Sequence, residues 1–356
     1  MTLRELGLEN IRCLPVAQLD LHPRLNLITG ANGAGKTSVL EAIYLLGRGR
    51  SFRSRLTEQL IRHGVPQLLV VGKAESIGDL GVRWQQIGLQ CSRLRGVEAR
   101  IDGRTPATLA ELAEAFAVQV IDPGIHRLVE EGPLQRRRWL DWAVFHVEPQ
   151  FVQSWQGYAR ALRQRNAALK GKADPSLWDG ELIRLGTLLT AARARLLDAL
   201  QPYWVAILSD LQLPAIRLSF YRGWGRELEL LEALRTQLPR DRERGSTTLG
   251  PHRFDVALRL EGHPARDVVS RGQQKLLGAG MALAMTRYIA AVAGRSPTLL
   301  LDDPAAELDG AHTRALLTTV AALGGQLIVT ALHPTDSALG RPDRVFHVEH
   351  NVVNQL

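Results

Sequence analysis

The pattern of apolar and polar positions predicts a chain that begins with strands. Alternating residues lead up to "RLNLIT" (24–29), which predicts a strand that enters a Gly-rich loop. The next stretch, "KTSVLEAIYLLG" (36–47), has its apolar residues on one face of a helix. Short runs between residues 68 and 101, separated by Gly turns, predict antiparallel strands.

The pattern becomes helical in the middle of the chain and alternates again at its end. Residues from about Pro133 to Leu238 read as amphipathic helices, and the following "PRDRERGS" predicts a charged connector. The last hundred residues predict a helix, the strand of "TLLLDD", a second helix and the strand of "QLIVTAL". We therefore predict an α/β domain interrupted by a helical lobe, with regions 1–130, 131–245 and 246–356.

Composition narrows the class of protein. Hydrophobic residues make up 45% and charged residues 22% of the chain, which is ordinary for a globular protein. The net charge of +8 favours a polyanionic partner, nucleic acid being the commonest, or an anionic membrane face, although excess Arg can also serve solubility alone. Cys13 and Cys91 lack metal-ligand spacing and indicate a reducing compartment.

The sequence predicts a cytoplasmic protein with no membrane partner. The first residues, "MTLRELGLENIR", lack the apolar core of a signal peptide. Residues 315–335 contain no Asp, Glu, Lys or Arg and are just long enough to suggest a membrane span. However, Gly324 and Gly325 divide this segment into a helix-like and a strand-like part, which is typical of a helix, its C-cap and a buried strand.

The Gly-rich loop carries the first chemical signal. "GANGAGKT" matches the phosphate-loop pattern between a strand and a helix, where backbone amides and the helix N-terminus bind phosphate. Lys36 would reach the β- and γ-phosphates, and the Thr37 hydroxyl would bind Mg²⁺. No guanine-reading Asn-Lys-x-Asp motif is present, so ATP is expected. The predicted nucleotide-binding residues are Gly30, Ala31, Asn32, Gly33, Ala34, Gly35, Lys36, Thr37 and Ser38.

The acidic stretch "LLLDDPAAELD" (299–309) provides the second signal. An isolated acidic cluster after a strand is commonly a solvated turn, but charge at the end of a buried strand requires a partner. Together with the phosphate loop, Asp302 is predicted to bind Mg²⁺ opposite Thr37. Asp303 would be the general base, or the residue that positions the attacking water, and Lys36 its catalytic partner.

"VSRGQQ" (269–274) resembles the signature motif of ATP-binding-cassette proteins, with Arg271 in place of the first Gly. The resemblance implies that Ser270, Gly272 and Gln273 meet the γ-phosphate bound to a second copy, so that ATP joins two heads. In the same comparison Glu307 and Asp309 would form the D-loop at this interface. His333 is a candidate for the switch His, with a solvated His as the alternative.

Several longer stretches together resemble the RecF family of bacterial recombination-mediator ATPases, which belongs with the heads of the structural-maintenance-of-chromosomes (SMC) group. They are "GANGAGKTSVLEAIYLLGRGRSFRS", "EEGPLQRRRWLDW", "LGPHRFDV", "SRGQQK" and "LLLDDPAAELD". Phe254-Asp255 after "GPHR" departs from the family's usual sequence. The resemblance implies an ABC-type ATPase head with a P-loop α/β core, an antiparallel β subdomain, a helical lobe and no coiled-coil arm.

The resemblance also implies a function. An ATP-dependent homodimer would bind DNA at single-strand/double-strand junctions and, with RecR and RecO, direct RecA onto gapped DNA, while slow hydrolysis resets it. Gln119 would be the Q-loop residue. Candidate DNA contacts are the arginines of two groups, each of which could instead be a solvated face: Arg48, Arg50, Arg53 and Arg55, and Arg136, Arg137 and Arg138.

Two other functions remain open at the level of sequence. One is the nucleotide-binding ATPase subunit of a membrane transporter, which the replaced signature Gly and the long separation between Lys36 and Ser270 disfavour. The other is a clamp that binds ATP with negligible turnover, since Asp303 stands where a catalytic Glu is usual.

Overall fold

The structure, a computed structural model, describes residues 1–78, 81–106, 108–333 and 339–356. The chain forms two units, and each is assembled from separate stretches of sequence. Unit 1 comprises Met1–Ile125, Asp210–Gln212 and Ala279–Leu356, and unit 2 comprises His126–Ser209 and Leu213–Gly278. Unit 2 continues to Gly278, beyond the end that the sequence predicted for the helical lobe at residue 245.

Strands and α-helices are numbered in chain order. The strands are β1 (Thr2–Ile11), β2 (Leu14–Asp20), β3 (Leu25–Thr29), β4 (Gln67–Gly78), β5 (Gly81–Ser92), β6 (Gly96–Ile101), β7 (Val118–Ile121), β8 (Arg217–Tyr221), β9 (Asp255–Leu260), β10 (His263–Pro264), β11 (Thr298–Leu301), β12 (Leu327–Ala331), β13 (Arg344–Glu349) and β14 (Val352–Gln355). The helices are α1 (Lys36–Arg48), α2 (Leu109–Ala115), α3 (Arg127–Glu130), α4 (Pro133–Val147), α5 (Phe151–Lys170), α6 (Asp179–Asp210), α7 (Leu230–Arg244), α8 (Ala265–Val268), α9 (Arg271–Ala293) and α10 (Gly310–Ala321).

A six-stranded sheet in unit 1 places the chemical motifs. Its order is β14-β13-β3-β12-β11-β7, and all neighbours are parallel except β14, which is antiparallel to β13. The central strands β3 and β11 are buried along their whole length, as continuous apolar runs in parallel sheets are expected to be. Thr29 pairs with Ala331 and Leu301 with Ile121, so the carboxyl ends of four strands meet at one edge.

The predicted antiparallel subdomain is the five-stranded sheet β2-β1-β4-β5-β6. Its inner face joins the core of unit 1 through residues such as Leu6, Val70 and Leu89. Helix α1 contributes its predicted apolar face to the same core, where Val39 and Ile43 are fully buried. This arrangement confirms the predicted α/β core with an antiparallel β subdomain.

Unit 2 contains the predicted helical lobe together with a small sheet, β10-β9-β8. Residues 246–278 belong to this unit because β9 pairs along its length with β8, which follows α6. A satellite core contains Trp224, Leu230, Ala233 and Leu234. No coiled-coil arm is present in the described part of the chain.

The expectation of a charged connector at "PRDRERGS" was wrong. Residues up to Arg244 continue α7, and Asp241 is fully buried. Its carboxylate accepts hydrogen bonds from Arg165 Nη1 (2.9 Å) and from the Thr248 hydroxyl (2.7 Å). A buried carboxylate of this kind is stable because it is paired and hydrogen-bonded.

The segment that could suggest a membrane span forms α10 and the buried strand β12, as its glycines predict, although residues 334 and 335 lie outside the described part. Among the described residues one helix, α9, is long and apolar enough to cross a membrane by composition alone. Of its most apolar window, 72% is buried inside the protein, as in the core helix of a globular fold.

Candidate functional site

The phosphate loop requires glycine at several positions because of its backbone conformation. Gly30, Gly33 and Gly35 have φ values of 144°, 82° and 117°, in the region that side chains disfavour. A Cβ at Gly30 would lie 2.3 Å from the carbonyl oxygen of Val348. The loop therefore joins β3 to α1, and Gly30, the first residue of the loop, has no room for a side chain.

Lys36 opens helix α1 and turns its ammonium group back over the loop. Its Nζ donates to the carbonyl oxygens of Gly30 (2.7 Å) and Ala31 (3.0 Å). Burial lowers the pKa of Lys36, and the nearby carboxylates of Asp303 and Asp302 oppose that shift. Of the remaining predicted loop residues, Asn32 is exposed and Ser38 is buried.

Thr37 and Asp302, which are 265 residues apart in sequence, are in direct contact. The Thr37 hydroxyl lies 2.9 Å and 3.1 Å from the two carboxylate oxygens of Asp302. Burial raises the pKa of Asp302, while hydrogen bonds from Thr330 and Thr37 oppose this shift. A hydroxyl and a buried carboxylate in contact are oxygen donors that suit Mg²⁺, so the residues present fit the predicted metal.

Thr330 is a site residue that the sequence reasoning missed. Its hydroxyl donates to Asp302 Oδ1 (2.9 Å) and accepts the backbone N–H of Asp303 (2.8 Å). It lies on β12, the neighbour of β11 in the sheet, and it is fully buried. A polar residue near the end of the apolar run "LIVTA" was the signal that could have identified it.

Asp303 turns away from the strand that precedes it. Its φ is 46°, a left-handed conformation that is uncommon for residues other than glycine. The side chain is half-buried and near enough to Lys36 to oppose the lowering of the pKa of that amine by burial. Lys36, Asp302 and Asp303 are therefore grouped at the carboxyl edge of the six-stranded sheet.

Among the described residues no group of three or more His, Cys, Asp or Glu side chains could hold a metal ion. The predicted Mg²⁺ site uses two protein ligands only, Thr37 and Asp302.

Burial divides the first group of arginines: Arg50, Arg53 and Arg55 are exposed, as a surface patch requires, whereas Arg48 is not. Arg48 is largely enclosed: burial lowers its pKa to about 10, and its Nη2 donates to Gln119 Oε1 over 3.3 Å. Gln119 itself is a buried residue of β7. Arg53 is exposed, and its charge is among the influences that oppose the rise in the pKa of Asp302, so it lies on the side of the nucleotide loop.

The second group of arginines is mainly structural. Arg136 is buried and forms a bidentate ion pair with Asp255 (2.9 and 3.0 Å). Arg137 donates to the carbonyl oxygen of Phe254 (3.0 Å), whereas Arg138 is exposed. Phe254 and Asp255, which follow the "GPHR" stretch, therefore fix helix α4 to the start of β9.

His252 of the "GPHR" stretch is also enclosed in unit 2. Its Nδ1 lies 2.8 Å from the Tyr158 hydroxyl and its Nε2 lies 3.0 Å from the Thr247 carbonyl oxygen. The neutral tautomer with a proton on Nε2 satisfies both contacts. Burial lowers the pKa of His252 to about 4, so the ring is neutral at physiological pH.

Ser270 and Gln273 form a reciprocal cap at the start of α9. The Ser270 N–H donates to Gln273 Oε1 (2.9 Å), and the Gln273 N–H donates to Ser270 Oγ (3.3 Å). Ser270 is exposed, and a Cβ at Gly272 would meet no atom within 4 Å. The predicted signature residues thus present a capped helix N-terminus with open space at Gly272.

The remaining predicted residues lie after β11 and β12. Asp309 is the N-cap of α10, and hydrogen bonds from the backbone amide and the side chain of His312, together with the amide of Ala311, lower its pKa. Glu307 has a left-handed φ of 65°. His333 is exposed two residues beyond β12, and the five residues that follow it lie outside the described part.

Comparisons with known proteins agree with this geometry. The family model described as RecF/RecN/SMC N terminal domain matches residues 2–354. The chain is 43% identical to the DNA replication and repair protein RecF of Xanthomonas euvesicatoria pv. vesicatoria, over 95% of this chain and 94% of that protein. It is 39% identical to the RecF protein of Shewanella piezotolerans over the full length of both.

The fold agrees with solved structures. A structure described as the recombination mediator protein RecF with ATP in the RecFOR pathway superposes with a TM-score of 0.88, covering 100% of this chain and 97% of that one at 24% identity. The Smc head domain of Pyrococcus furiosus superposes with a TM-score of 0.59 at 17% identity. The full-length match to RecF proteins, together with the head fold and the two motifs that meet at one sheet edge, establishes that this chain belongs to the RecF family.

Proposed function

We propose that the chain is an ATP-dependent DNA-binding protein of recombinational repair and replication restart. The observation that carries this proposal is the contact between Thr37 and Asp302 beside the Lys36 ammonium group. This contact supports a binding site for a nucleoside triphosphate and its Mg²⁺ at the carboxyl edge of the six-stranded sheet. The names of the curated relatives support DNA replication and repair as the setting.

In the proposed site each residue has a defined task. Lys36 binds the β- and γ-phosphates in place of its present carbonyl partners, and Thr37 and Asp302 hold Mg²⁺. Bound Mg²⁺ would neutralise charge that develops on the phosphates. Asp303 positions the attacking water or accepts its proton, which gives slow hydrolysis to ADP and phosphate. Gln119 would be the Q-loop residue that senses Mg²⁺, although in the structure it accepts a hydrogen bond from Arg48 at the opposite end of α1 from Lys36.

The proposed role of ATP is to join two copies of the chain. Ser270, Gly272 and Gln273 of one copy would meet the γ-phosphate bound to the other, because a capped helix N-terminus with open space favours an anion. Such an ATP-dependent homodimer would bind DNA at single-strand/double-strand junctions, act with RecR and RecO to help load RecA, and be reset by hydrolysis. The alternative of a transporter ATPase subunit is not favoured by the full-length match to RecF proteins.

The experiment compares the wild type with Lys36→Ala. We expect the variant to lose binding of a fluorescent ATP analogue and, as a consequence, ATP-dependent binding to a gapped duplex measured by fluorescence anisotropy. Lys73→Ala is the matched control, since Lys73 is an exposed lysine paired with Glu5 on the outer sheet. ATP-dependent DNA binding by Lys36→Ala at the wild-type level would remove the phosphate loop from the function.

A further inference from the structure

Helix α5 presents cations but no carboxylate to solvent. Arg160, Arg163 and Lys170 are exposed on the helix, and exposed Lys172 follows in the next turn. No Asp or Glu occurs anywhere between Glu148 and Asp174. With 3.6 residues per turn, the three helical cations fall within an arc of about 80° and extend over about 15 Å of helix length. We call Arg160, Arg163, Lys170 and Lys172 the α5 strip.

The cations of the α5 strip are distinct from Arg165, an arginine of the same helix that has a structural role. Arg165 is only 1% exposed and faces the interior of unit 2, where it pairs with Asp179 and Asp241 (2.9 Å each). It lies about 160° around the helix from Arg163. Stability of the lobe therefore accounts for Arg165 and leaves the exposed cations unexplained.

Local electrostatics do not account for the strip either. Within the described residues none of its four cations forms an ion pair, whereas the exposed arginines of the neighbouring helix α6 do: Arg184 pairs with Glu181 and Arg195 with Glu148. The negative end of the helix dipole favours cations only in the last turn, which explains Lys170 but not Arg160 or Arg163. Three unpaired charges of one sign along one arc of the helix, with a fourth just beyond its end, favour an external polyanion.

The other exposed side chains within the 80° arc of the α5 cations indicate which kind of partner this surface binds. The exposed residues among the cations are Gln156 and Ala167, which are polar or small. Protein interfaces are usually centred on large apolar or aromatic anchors, and exposed Trp155 lies about 60° or more away from the strip. Contacts to a DNA backbone require only cations and amide donors, with no apolar anchor.

We propose that the α5 strip binds the sugar-phosphate backbone of double-stranded DNA. Its length of about 15 Å corresponds to about four nucleotides of one strand at 3.4 Å per nucleotide. The strip reads no base sequence, because long, exposed cations act on phosphate charge alone. This inference rests on the proposed function and adds to it the surface of unit 2 that meets DNA.

The test uses the full chain with a non-hydrolysable ATP analogue and two duplex DNA probes of unrelated sequence. Arg160→Gln combined with Arg163→Gln removes two charges from the strip. Arg184→Gln combined with Arg195→Gln removes the same charge from α6 and is the matched control. Affinity is measured by fluorescence anisotropy at a series of salt concentrations, and binding of the ATP analogue is measured in parallel.

For the strip variant we expect weaker binding to both probes, by about tenfold, and a decrease of about 2 in the slope of log affinity against log salt concentration. The control should keep the wild-type slope, and both variants should keep the wild-type affinity for the ATP analogue. An equal loss in the control, or an unchanged slope in the strip variant, would overturn the assignment of this surface. Full DNA affinity of the strip variant, with loss of binding to phosphatidylglycerol vesicles, would overturn it in favour of an anionic membrane. Lack of DNA binding by the wild type would refute the proposed function as well.

Discussion

Arg12 and Glu41 form a bidentate ion pair that joins the β1–β2 turn to helix α1. Arg12 Nε and Nη2 each lie 3.0 Å from a carboxylate oxygen of Glu41, which is fully buried. Glu41 Oε1 also accepts from the Ser51 hydroxyl, and Arg12 Nη2 donates to the Ser54 hydroxyl (2.7 Å). The pair therefore connects the helix that begins with Lys36 to the segment that carries Arg53.

Arg12→Ala should be strongly destabilising, because it leaves the buried Glu41 carboxylate without its cation. We expect the free energy of unfolding to fall by about 3 kcal/mol, as measured by urea denaturation at pH 7. Lys73→Ala, which breaks an exposed ion pair with Glu5, is the control and should cost less than about 1 kcal/mol. Equal losses for the two variants would show that the Arg12–Glu41 pair contributes no more than a surface pair.

His252 should make the stability of unit 2 depend on pH. Its pKa is about 4 in the folded protein and 6.5 in a free side chain. Between these two pH values the unfolded chain binds a proton that the folded chain does not. The contribution of neutral His252 to the free energy of unfolding is therefore fully present above pH 6.5 and is lost as the pH falls toward 4. This difference in pKa corresponds to about 3 kcal/mol.

The measurement for His252 is urea denaturation between pH 4 and 7, with His252→Gln as the comparison. Glutamine does not titrate, so the gap in stability between the wild type and the variant should narrow as the pH decreases. A gap that stays constant over this range would show that His252 is not the group responsible.

Asp303→Asn should separate ATP binding from hydrolysis. An amide cannot accept a proton, so we expect turnover to fall by a factor of about 100 or more while affinity for ATP is kept. The dimer formed with ATP should persist longer in light-scattering measurements. Asp198→Asn, an exposed residue of α6, is the control for loss of one negative charge. Turnover of Asp303→Asn at the wild-type rate would exclude Asp303 as the base.

Ser270→Asp should prevent ATP from joining two copies. Aspartate caps a helix as well as serine does, so the cap of α9 is kept while a negative charge is added where the γ-phosphate is expected. We expect each monomer to bind ATP normally and light scattering to show no ATP-dependent dimer. Ser270→Asn keeps the cap without the charge and should dimerise. Normal dimerisation of Ser270→Asp would contradict the proposed sandwich.

Motifs that are local in sequence were predictable. The phosphate loop, the helix that follows it and the strand before Asp302 are each defined by adjacent residues with a known backbone geometry. The reciprocal cap of Ser270 and Gln273 follows from a spacing of three residues in the same way. By contrast, Arg136 could not be distinguished from Arg138 by sequence, because only the position of Asp255 shows which of them is enclosed.

The sequence by itself indicated the family, through the longer stretches that resemble it, and the α/β core and the place of the phosphate loop, through hydrophobic periodicity and short motifs. The tertiary structure decided which polar residues meet: Thr330 with Asp302, Arg12 with Glu41 and Asp241 with Arg165. Each of these pairs joins residues that are distant in sequence, and a buried charge is acceptable only where the fold supplies its partner. Which residues are buried together depends on how the whole chain packs, so it cannot be predicted from any short stretch of sequence.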